Sequence, residues 1–396
     1  MPTTDGARTV QGPAAGAARA GQASATGAAR TGQASATGGA RAGQASATGG
    51  ARTGQGPTTG GVRTGQEPPT GRKGRRRGRE ATDTVLATVV RAEDAPGPTL
   101  VLRLDQLPVG ALALGGELAR LRHALVGTAY ADLHKIALYG PAIRTGTGTG
   151  TGAHPDLDYR FVQALPDRAF DFRAGCGHSL LACVVADGRP GPVTVRAVTT
   201  GDTVLCEREP QDRTSSEAVL SESKGSHAYT LSFLKPPTAP GTLLTGRPVD
   251  VLLGVPVSLV RYGNPYVFVD ARHFPEDEAA LQHHLLALRA EAARVLGYPP
   301  HSALPKIAAF AAGPSGVDVR ALTVGGWHPR LAVTGAAALA AAGAIGGTVV
   351  PAPTGPVRTP GGTVTVSTAP DRVRVHHKRA TVLGRVELPW RIHATA

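Results

Sequence analysis

The first fifth of the chain almost lacks the residues that build a hydrophobic core. Residues 1–80 contain two valines and no leucine, isoleucine or aromatic residue. Such a segment buries too little apolar surface to offset the entropy of ordering. We therefore predict a disordered tail at 1–81. The roughly 300 residues that follow are enough for two ordinary domains.

Acidic residues are scarce in this tail, and most of the net charge of +13 lies there. Twelve arginines and lysines stand against three acidic residues in 1–80, which leaves +9 in the tail and +4 in the rest. Arginines recur every eleven residues from Arg19 to Arg63, but without the apolar seam of a coiled coil. Three alternatives stay open: a compositionally drifting extension, a tether for nucleic acid or an acidic surface, and a translation start downstream of the tail.

Cysteines are few, and the motifs of metal and nucleotide sites are missing. Three cysteines without a Cys-x-x-Cys pair exclude a disulfide framework and fit a reduced, cytoplasmic setting. No group of His, Cys, Asp and Glu has ligand spacing, and no phosphate-binding glycine loop follows a strand. We therefore expect neither a metal nor a cofactor. No apolar segment typical of a secretory signal is present at the N-terminus.

One long stretch without charged residues raises the question of a membrane span. Residues 331–350 have nearly the length needed to cross a bilayer. They consist mainly of Ala, Gly and Thr, which insert weakly into membranes. We interpret this stretch as a helix buried inside protein on all sides, and we expect no membrane association.

The pattern of apolar residues and turn signals predicts an α+β chain from residue 82 onward. Helices are predicted at 114–125, 179–186, 276–296 and 334–344. Strands are predicted at 84–91, 99–104, 135–138, 157–164, 192–199, 203–207, 228–234, 257–260, 266–269, 306–311, 317–323, 363–367, 372–375 and 381–388. The repeated Gly-Thr segment at 146–152 predicts a loop, and 236–247 predicts a linker.

Two of these predicted helices, at 179–186 and 334–344, are short and apolar on every face. A helix without a polar face has to be wrapped by a sheet. We therefore predict two pseudo-symmetric lobes, each a mostly antiparallel sheet around a central apolar helix, with the helix N-termini facing a shared cleft. The first lobe comprises 82–240, completed by 380–396, and the second comprises 241–379. Helix N-termini favour carboxylate ligands, because they carry unpaired N–H groups and a partial positive charge.

Seven short motifs occur in a fixed order along the globular part. They are Leu133-His134-Lys135-Ile136-Ala137, Leu157-Asp158-Tyr159-Arg160-Phe161-Val162-Gln163, Gly175-Cys176-Gly177-His178, Val257-Ser258-Leu259-Val260, Gly263-Asn264-Pro265-Tyr266-Val267-Phe268-Val269, Leu304-Pro305-Lys306-Ile307-Ala308 and Thr334-Gly335-Ala336. In their order and spacing, the chain resembles the 2-methylaconitate cis–trans isomerase (PrpF-like) family. That family includes 4-oxalomesaconate tautomerase and methylitaconate isomerase and shares the diaminopimelate epimerase fold. The resemblance covers 85–389.

The resemblance implies a cofactor-independent isomerase that moves a proton and a double bond on a small unsaturated carboxylate, such as a 2-methylaconitate-like acid. Lys135 and Cys176 match the lysine and the cysteine that the family uses for proton transfer. A lysine accepts a carbon-bound proton only if burial or a cationic neighbour lowers its pKa. A cysteine at a helix N-terminus lies where negative charge is stabilised. Taken singly, a surface lysine and a small core cysteine are the commoner situations.

Substrate-binding candidates are the residues at the two helix N-termini and in the loop of the second lobe: Gly177, His178, Asn264, Thr334 and Gly335. Polar groups beside glycine in these loops would reach the cleft and hold substrate carboxylates. Lys306 and His328 are weaker candidates, because a strand-start lysine and a loop histidine are both common without a function.

Two segments depart from the family pattern. The loop at 91–98 has neither the Thr-Ser pair nor the lysine of the family's first loop, and Gly175-Cys176-Gly177-His178 stands where the family has Asn-Cys-Gly-Asn. Both changes remove donors for a substrate anion. The alternatives are therefore a different carboxylate substrate and a catalytically silent binding or accessory protein of the same fold.

An epimerase is a further alternative, but a two-thiol mechanism needs a cysteine from each lobe, and 332–335 contains none. The expected partner is a small-molecule carboxylate. Nucleic acid is expected only through the basic tail, and the oligomeric state stays open, a homodimer included.

Overall fold

The structure is a computed structural model, and it describes residues 83–106, 111–143, 154–166, 169–210, 227–314, 316–324, 326–353 and 355–390. Two predicted features lie outside these residues: the disordered tail at 1–81 and the Gly-Thr loop at 146–152. The segment 391–396, assigned above to the first lobe, also lies outside them.

Helices form at the four predicted places. They are α1 (Ala111–Ala124), α2 (Gly177–Asp187), α3 (Glu278–Val295) and α4 (Val333–Gly343). The strands are β1 (Asp83–Ala92), β2 (Thr99–Arg103), β3 (Lys135–Pro141), β4 (Leu157–Ala164), β5 (Phe170–Asp171), β6 (Val193–Ala197), β7 (Thr203–Arg208), β8 (Ala228–Phe233), β9 (Asp250–Leu252), β10 (Val255–Tyr262), β11 (Asn264–Asp270), β12 (Lys306–Gly313), β13 (Gly316–Thr323), β14 (Gly326–Trp327), β15 (Val357–Thr359), β16 (Gly362–Val364), β17 (Val366–Ala369) and β18 (Arg372–Trp390).

The first sheet closes on itself around α2. Its strands follow the order β1-β2-β3-β4-β6-β7-β8-β18-β17, and β1 also pairs with β18, which completes the ring. The pairs β2–β3 and β4–β6 are parallel, and the others along this order are antiparallel. Helix α2 contacts β1, β2, β3, β4, β6 and β18 from the inside. This lobe is therefore a mostly antiparallel sheet wrapped around an apolar helix, as predicted.

The second sheet repeats the pairing of the first. Its order is β16-β15-β13-β12-β11-β10-β9, with parallel pairs at β11–β12 and β13–β15. Each lobe is therefore built, in chain order, from a hairpin, a helix on the outer face of the sheet, a second hairpin, the central helix and a final hairpin. The two lobes are pseudo-symmetric, which confirms the predicted fold class.

Both central helices are buried because apolar side chains cover every face. In α4 all residues from Val333 to Ala342 are buried, and in α2 the eight residues from Gly177 to Val184 are buried. This confirms that 331–350 contains a helix enclosed by protein. Among the described residues, no helix is long and apolar enough to cross a membrane.

The outer helices instead have one apolar face. Helix α1 packs Leu114, Leu118 and Leu121 on the first sheet, and α3 packs Leu285 and Leu288 on the second. Asp277 caps α3, because its side chain accepts a hydrogen bond of 2.7 Å from the Ala280 N–H. The outer helices leave the inner faces of both sheets to α2 and α4.

The sheets divide the chain at a different point from the predicted lobes. A single strand is predicted at 363–367, but β16 lies in the second sheet and β17 in the first, so the chain changes sheets at Thr365. Strand β18 is one long strand where two are predicted, because a bulge at His376 and His377 interrupts its apolar pattern. The chain therefore returns to the first sheet at Val366, whereas the prediction placed this return at 380. Strand β18 contacts both central helices.

Candidate active site

The N-terminus of α2 presents the Cys176 side chain without using it as a cap. Cys176 has extended backbone angles, φ −146° and ψ 110°, and its carbonyl accepts the Leu180 N–H at 2.9 Å. Its side chain makes no capping hydrogen bond. The Tyr159 hydroxyl donates to the same carbonyl at 2.9 Å, which fixes the start of the helix. The sulfur is partly exposed and lies at the positive end of the helix dipole.

The N-termini of the two central helices abut. A Cβ added at Gly177 would lie 2.5 Å from the Val333 Cβ, and one added at Gly335 would lie 2.6 Å from the Tyr266 hydroxyl. Only glycine allows these approaches. Gly177 and Gly335, both predicted to bind substrate, therefore have a packing reason for their identity.

A cleft lies where these helix ends meet the two sheets. Its cavity volume is about 40 Å³, so the cleft is narrow. Its lining comes from both sheets: Pro96, Lys135, Phe161, Gln163, Gly175, Cys176, His178, Asn264, Tyr266, Lys306, Thr323, His328, Ala332 and Thr334. Five of the seven predicted site residues line it together. Gly177 and Gly335 are not in this lining.

Lys135 is a buried lysine at the start of β3, with 9 % of its surface exposed. Its ammonium donates one long hydrogen bond of 3.5 Å to the Gly97 carbonyl. Among the described residues, no carboxylate lies within ion-pair distance of it. Burial lowers its pKa; the nearby Cys176 opposes this shift and Arg91 adds to it. Lys135 therefore has more of the neutral amine, the form that accepts a proton, than a surface lysine has.

Two histidines stack beside the cleft. The rings of His178 and His328 lie 5.9 Å apart with 15° between their planes. Burial lowers the pKa of both, with further lowering from Lys135, and that of His328 falls to about 4. His328 Nδ1 accepts the Arg330 N–H at 3.2 Å, whereas His178 Nε2 is buried without a partner among the described residues. Both rings are therefore neutral at pH 7, and His178 Nε2 remains available to a ligand.

Asn264 joins the two lobes through its side chain. Its Oδ1 accepts the Gly175 N–H at 2.7 Å, and its Nδ2 donates to the Gly175 carbonyl at 2.7 Å. Nδ2 also lies 3.3 Å from Thr334 Oγ1. The amide predicted to hold substrate is thus occupied by the backbone that precedes Cys176.

The loop at 91–98 reaches the cleft, although it lacks the expected donors. Pro96 lines the cleft, and the Gly97 carbonyl meets Lys135. Asp94 is buried and binds Lys378 of β18 at 2.6 Å and Arg330 at 2.5 Å. Arg330 precedes α4, so this acidic residue ties the loop to the start of the second central helix.

Comparison with known proteins bears on the fold. No protein-family model matches the sequence, and no curated protein matches it. A solved structure of methylitaconate-delta-isomerase superposes with a TM-score of 0.53 at 21% identity, over 78% of this chain and 96% of that chain. A hydroxyproline epimerase from Agrobacterium vitis gives 0.47 at 16%, over 78% and 94%. A phenazine biosynthesis PhzF-family protein from Enterococcus faecalis gives 0.38 at 13%, over 78% and 100%.

At this identity the first of these similarities bears on the fold alone, and the other two superpose too loosely to add to it. The chain has the fold of methylitaconate-delta-isomerase, the diaminopimelate epimerase-like fold that the motifs predicted. His328 and Lys306, the weaker candidates from the sequence, also line the cleft. A signal for Lys306 was present, because Leu-x-Lys-Ile-Ala occurs twice, at 133–137 and 304–308.

Proposed function

We propose that this protein is a cofactor-independent isomerase that moves a proton and a double bond on a small unsaturated carboxylate, with Lys135 and Cys176 as its acid–base pair. The observation that carries the proposal is their meeting in one cleft. A buried lysine with a lowered pKa and without a carboxylate partner lines the same space as a thiol at a helix N-terminus. The name of the superposed isomerase fits this chemistry.

The proton transfers balance within the pair. The neutral amine of Lys135 removes a proton from the carbon next to the double bond, and the electron pair spreads over the allylic system and the carboxylate. The thiol of Cys176 gives its proton to the far carbon, which leaves the double bond shifted by one position. The Lys135 ammonium then returns its proton to the thiolate. No electron acceptor is needed, because substrate and product have the same oxidation state.

Three features support an anionic substrate. The N-termini of α2 and α4 both point partial positive charge at the cleft. His178 offers a buried ring nitrogen without a protein partner. Lys135 lines the cleft without a carboxylate partner among the described residues, whereas Asn264 holds Gly175 and Asp94 holds Lys378 and Arg330. A compact carboxylate suits this arrangement, and a 2-methylaconitate-like acid is the first to test.

A two-thiol epimerase is disfavoured by the second lobe. Ala332 is the N-cap of α4, the position that Cys176 has at α2, and an alanine cannot accept a proton. The alternative, a catalytically silent binding protein, makes a different prediction. Carboxylates would bind to it, but no proton of the ligand would exchange with solvent.

The test is a screen of unsaturated di- and tricarboxylates in D₂O, followed by NMR. We expect deuterium to enter at least one acid together with its isomer, and we expect Lys135→Ala to abolish both. Arg294→Ala, which removes an exposed positive charge outside the cleft, is the control and should behave as the wild type. Turnover that survives Lys135→Ala would contradict the mechanism, and binding without exchange in any acid would favour the silent protein.

A further inference from the structure

Lys306 has no task in the mechanism proposed above, yet its ammonium lines the cleft. It begins β12 within Leu304-Pro305-Lys306-Ile307-Ala308, and Lys135 begins β3 within Leu133-His134-Lys135-Ile136-Ala137. Each strand follows an outer helix and is the first strand of the second hairpin of its lobe. The two lysines therefore occupy the same topological position in the two lobes.

The strand registers support this equivalence. Leu100 of β2 pairs with Ile136 in parallel, and Val267 of β11 pairs with Ile307 in parallel. Thr99 of β2 and Tyr266 of β11 stand one residue before Leu100 and Val267. Each contacts the third residue of the central helix in its lobe. Thr99 Oγ1 meets Ser179 Oγ at 3.0 Å, and the Tyr266 hydroxyl abuts Gly335. The same internal two-fold therefore relates Lys135 to Lys306, one from each sheet.

The Lys306 ammonium lacks a protein partner. Within the part of the chain that the structure describes, it makes neither a hydrogen bond nor an ion pair, although the residue is largely buried. The carboxylate that acts on its charge is Asp171, which accepts hydrogen bonds from Ser302 Oγ at 3.0 Å and the Ala303 N–H at 2.8 Å. A mostly buried ammonium without an anion is costly, so an arrangement of this kind indicates that a ligand supplies the anion.

Lys306 also lies where the cleft meets a second, larger space. This groove has a volume of about 370 Å³, and it shares Lys306 and Thr323 with the cleft. Arg289 lines the groove and donates to the Pro305 carbonyl at 2.9 Å, without a carboxylate partner among the described residues. An anion entering along the groove thus meets two cations before it reaches Cys176.

We infer that Lys306 is the anchor by which the second lobe binds a carboxylate of the substrate, opposite Lys135 across the internal two-fold. This inference rests on the proposed function, because it assumes a carboxylate in the cleft. It assigns to Lys306 the role that the sequence gave to Asn264, whose amide is occupied by Gly175. In this arrangement the first lobe moves the proton and the second lobe supplies the charged contact that orients the acid.

The groups facing Lys306 set how the anchor responds to pH. Arg289 from α3 and Lys135 from β3 repel its charge, and His328 is neutral. Asp171 and Cys176 oppose that repulsion. Burial is the largest effect, and the pKa of Lys306 falls to about 8 in the free protein. Carboxylate binding should therefore weaken as pH rises through and above 8, since the ammonium is lost; a bound anion moves this loss to somewhat higher pH.

The experiment measures binding of saturated, unreactive acids, tricarballylate and methylsuccinate, by isothermal titration calorimetry. Lys306→Gln should weaken binding about 10- to 100-fold, because a charge-assisted contact is lost. Lys306→Arg should recover most of that affinity and should keep it above pH 9, where the wild type loses it. Arg294→Gln removes one exposed positive charge outside the cleft and should leave the affinity unchanged.

Each other result has one meaning. Equal affinities for wild type and Lys306→Gln, or a wild-type affinity that stays flat above pH 9, would overturn the anchor. Unchanged affinity with lost turnover in both Lys306 variants would make Lys306 a proton-transfer group instead. If acids bind through Lys306 but none exchanges deuterium, the proposed reaction fails while the anchor stands. Because Lys306→Arg keeps the charge and most of the side chain, it tests the inference even if Lys306→Gln misfolds.

Discussion

The side chain of Asn264 pairs with the backbone of Gly175 through two hydrogen bonds of 2.7 Å, one accepted and one donated. Asn264 is the only asparagine in the sequence, and it begins β11 of the second sheet, whereas Gly175 precedes the catalytic candidate Cys176 in the first. An amide is the side chain that can both accept from an N–H and donate to a carbonyl of one residue. The pair therefore holds the two lobes in register at the cleft.

Asn264→Ala should lower the free energy of unfolding by about 1–3 kcal/mol, because it leaves the N–H and the carbonyl of the half-buried Gly175 unpaired. Urea denaturation followed by circular dichroism measures the change. Thr334→Val keeps the Gly175 pairing, removes the 3.3 Å contact to the same amide and the Thr334 contact to Tyr266, and should cost less, about 1 kcal/mol. Equal costs for both variants would show that the Gly175 pairing contributes little.

Gly177→Ala should destabilise the protein by about 1–3 kcal/mol, since its Cβ would lie 2.5 Å from the Val333 Cβ. Gly115→Ala is the matched control, because a Cβ there meets nothing within 4 Å and alanine favours the helix. A double-mutant cycle with Val333→Gly should show favourable coupling, as the cavity opened at Val333 accepts the added methyl. If the two changes in the free energy of unfolding simply add, the cost of Gly177→Ala does not come from contact with Val333.

Lys135→Ala should reduce turnover of any isomerised acid by about 100- to 10,000-fold, the contribution typical of a positioned general base. The wild-type rate should rise with pH and level off below pH 10.5, because the neutral amine is the active form and burial lowers the pKa of Lys135 from that value. The pH–rate profile of kcat at saturating substrate measures this, because loss of the Lys306 charge above pH 8 weakens binding and lowers kcat/KM. A rate that falls as pH rises from 6 to 8 would mean that Lys135 acts as an acid or a fixed charge.

Lys306→Met should stabilise the free protein by about 2 kcal/mol at pH 7, since it removes a largely buried ammonium without a partner. The sign follows from linkage. The pKa of Lys306 is about 8 when folded and near 10.5 when unfolded, so the unfolded chain binds more protons between these values and stability rises with pH across them. The pKa of Lys135 is also lowered, so Lys135 makes stability rise with pH in both proteins. The test is therefore the difference in free energy of unfolding between the wild type and Lys306→Met. Parallel stability curves from pH 7 to 10.5 would contradict the assignment of an unpaired Lys306.

Asp94→Asn should cost about 3–5 kcal/mol, because it leaves the buried Lys378 ammonium without its carboxylate. Asp94→Leu combined with Lys378→Met should cost less than Asp94→Asn alone, as no buried charge of the pair is then left uncompensated. Thermal denaturation of the three variants measures both effects. A double variant as unstable as the single one would show that the pair contributes more than the mutual neutralisation of its charges.

Local sequence patterns predicted much of the fold. The four helices and most strands follow from apolar periodicity and turn residues, and the two helices without a polar face required enclosing sheets. The return of the C-terminal segment to the first lobe was predicted, but its pairing with β1 was not, because β1 and β18 lie at opposite ends of the described chain. The change of sheet at Thr365 was missed for a related reason: the residues on both sides of it have strand propensity, and only their partners differ.

The site was predictable to the extent that it uses local motifs. Lys135 and Cys176 lie together in the cleft, although their catalytic roles remain predictions. The stacking of His178 on His328 brings together residues that lie far apart in the chain, and no local pattern encodes such a contact. Asn264 shows the opposite limit. Its position beside the cleft was predicted. Its amide pairs with the backbone of Gly175, and a backbone partner cannot be identified from residue types.

The sharing of β18 between the lobes has a consequence for the order of assembly. This strand closes the sheet around α2 and also covers α4, so neither central helix is fully enclosed until it is in place. During synthesis the apolar helices therefore emerge before their last cover, and the cleft cannot form from the N-terminal part alone. We therefore expect the two lobes to complete their folding together, after this last strand has been synthesised, and not one after the other.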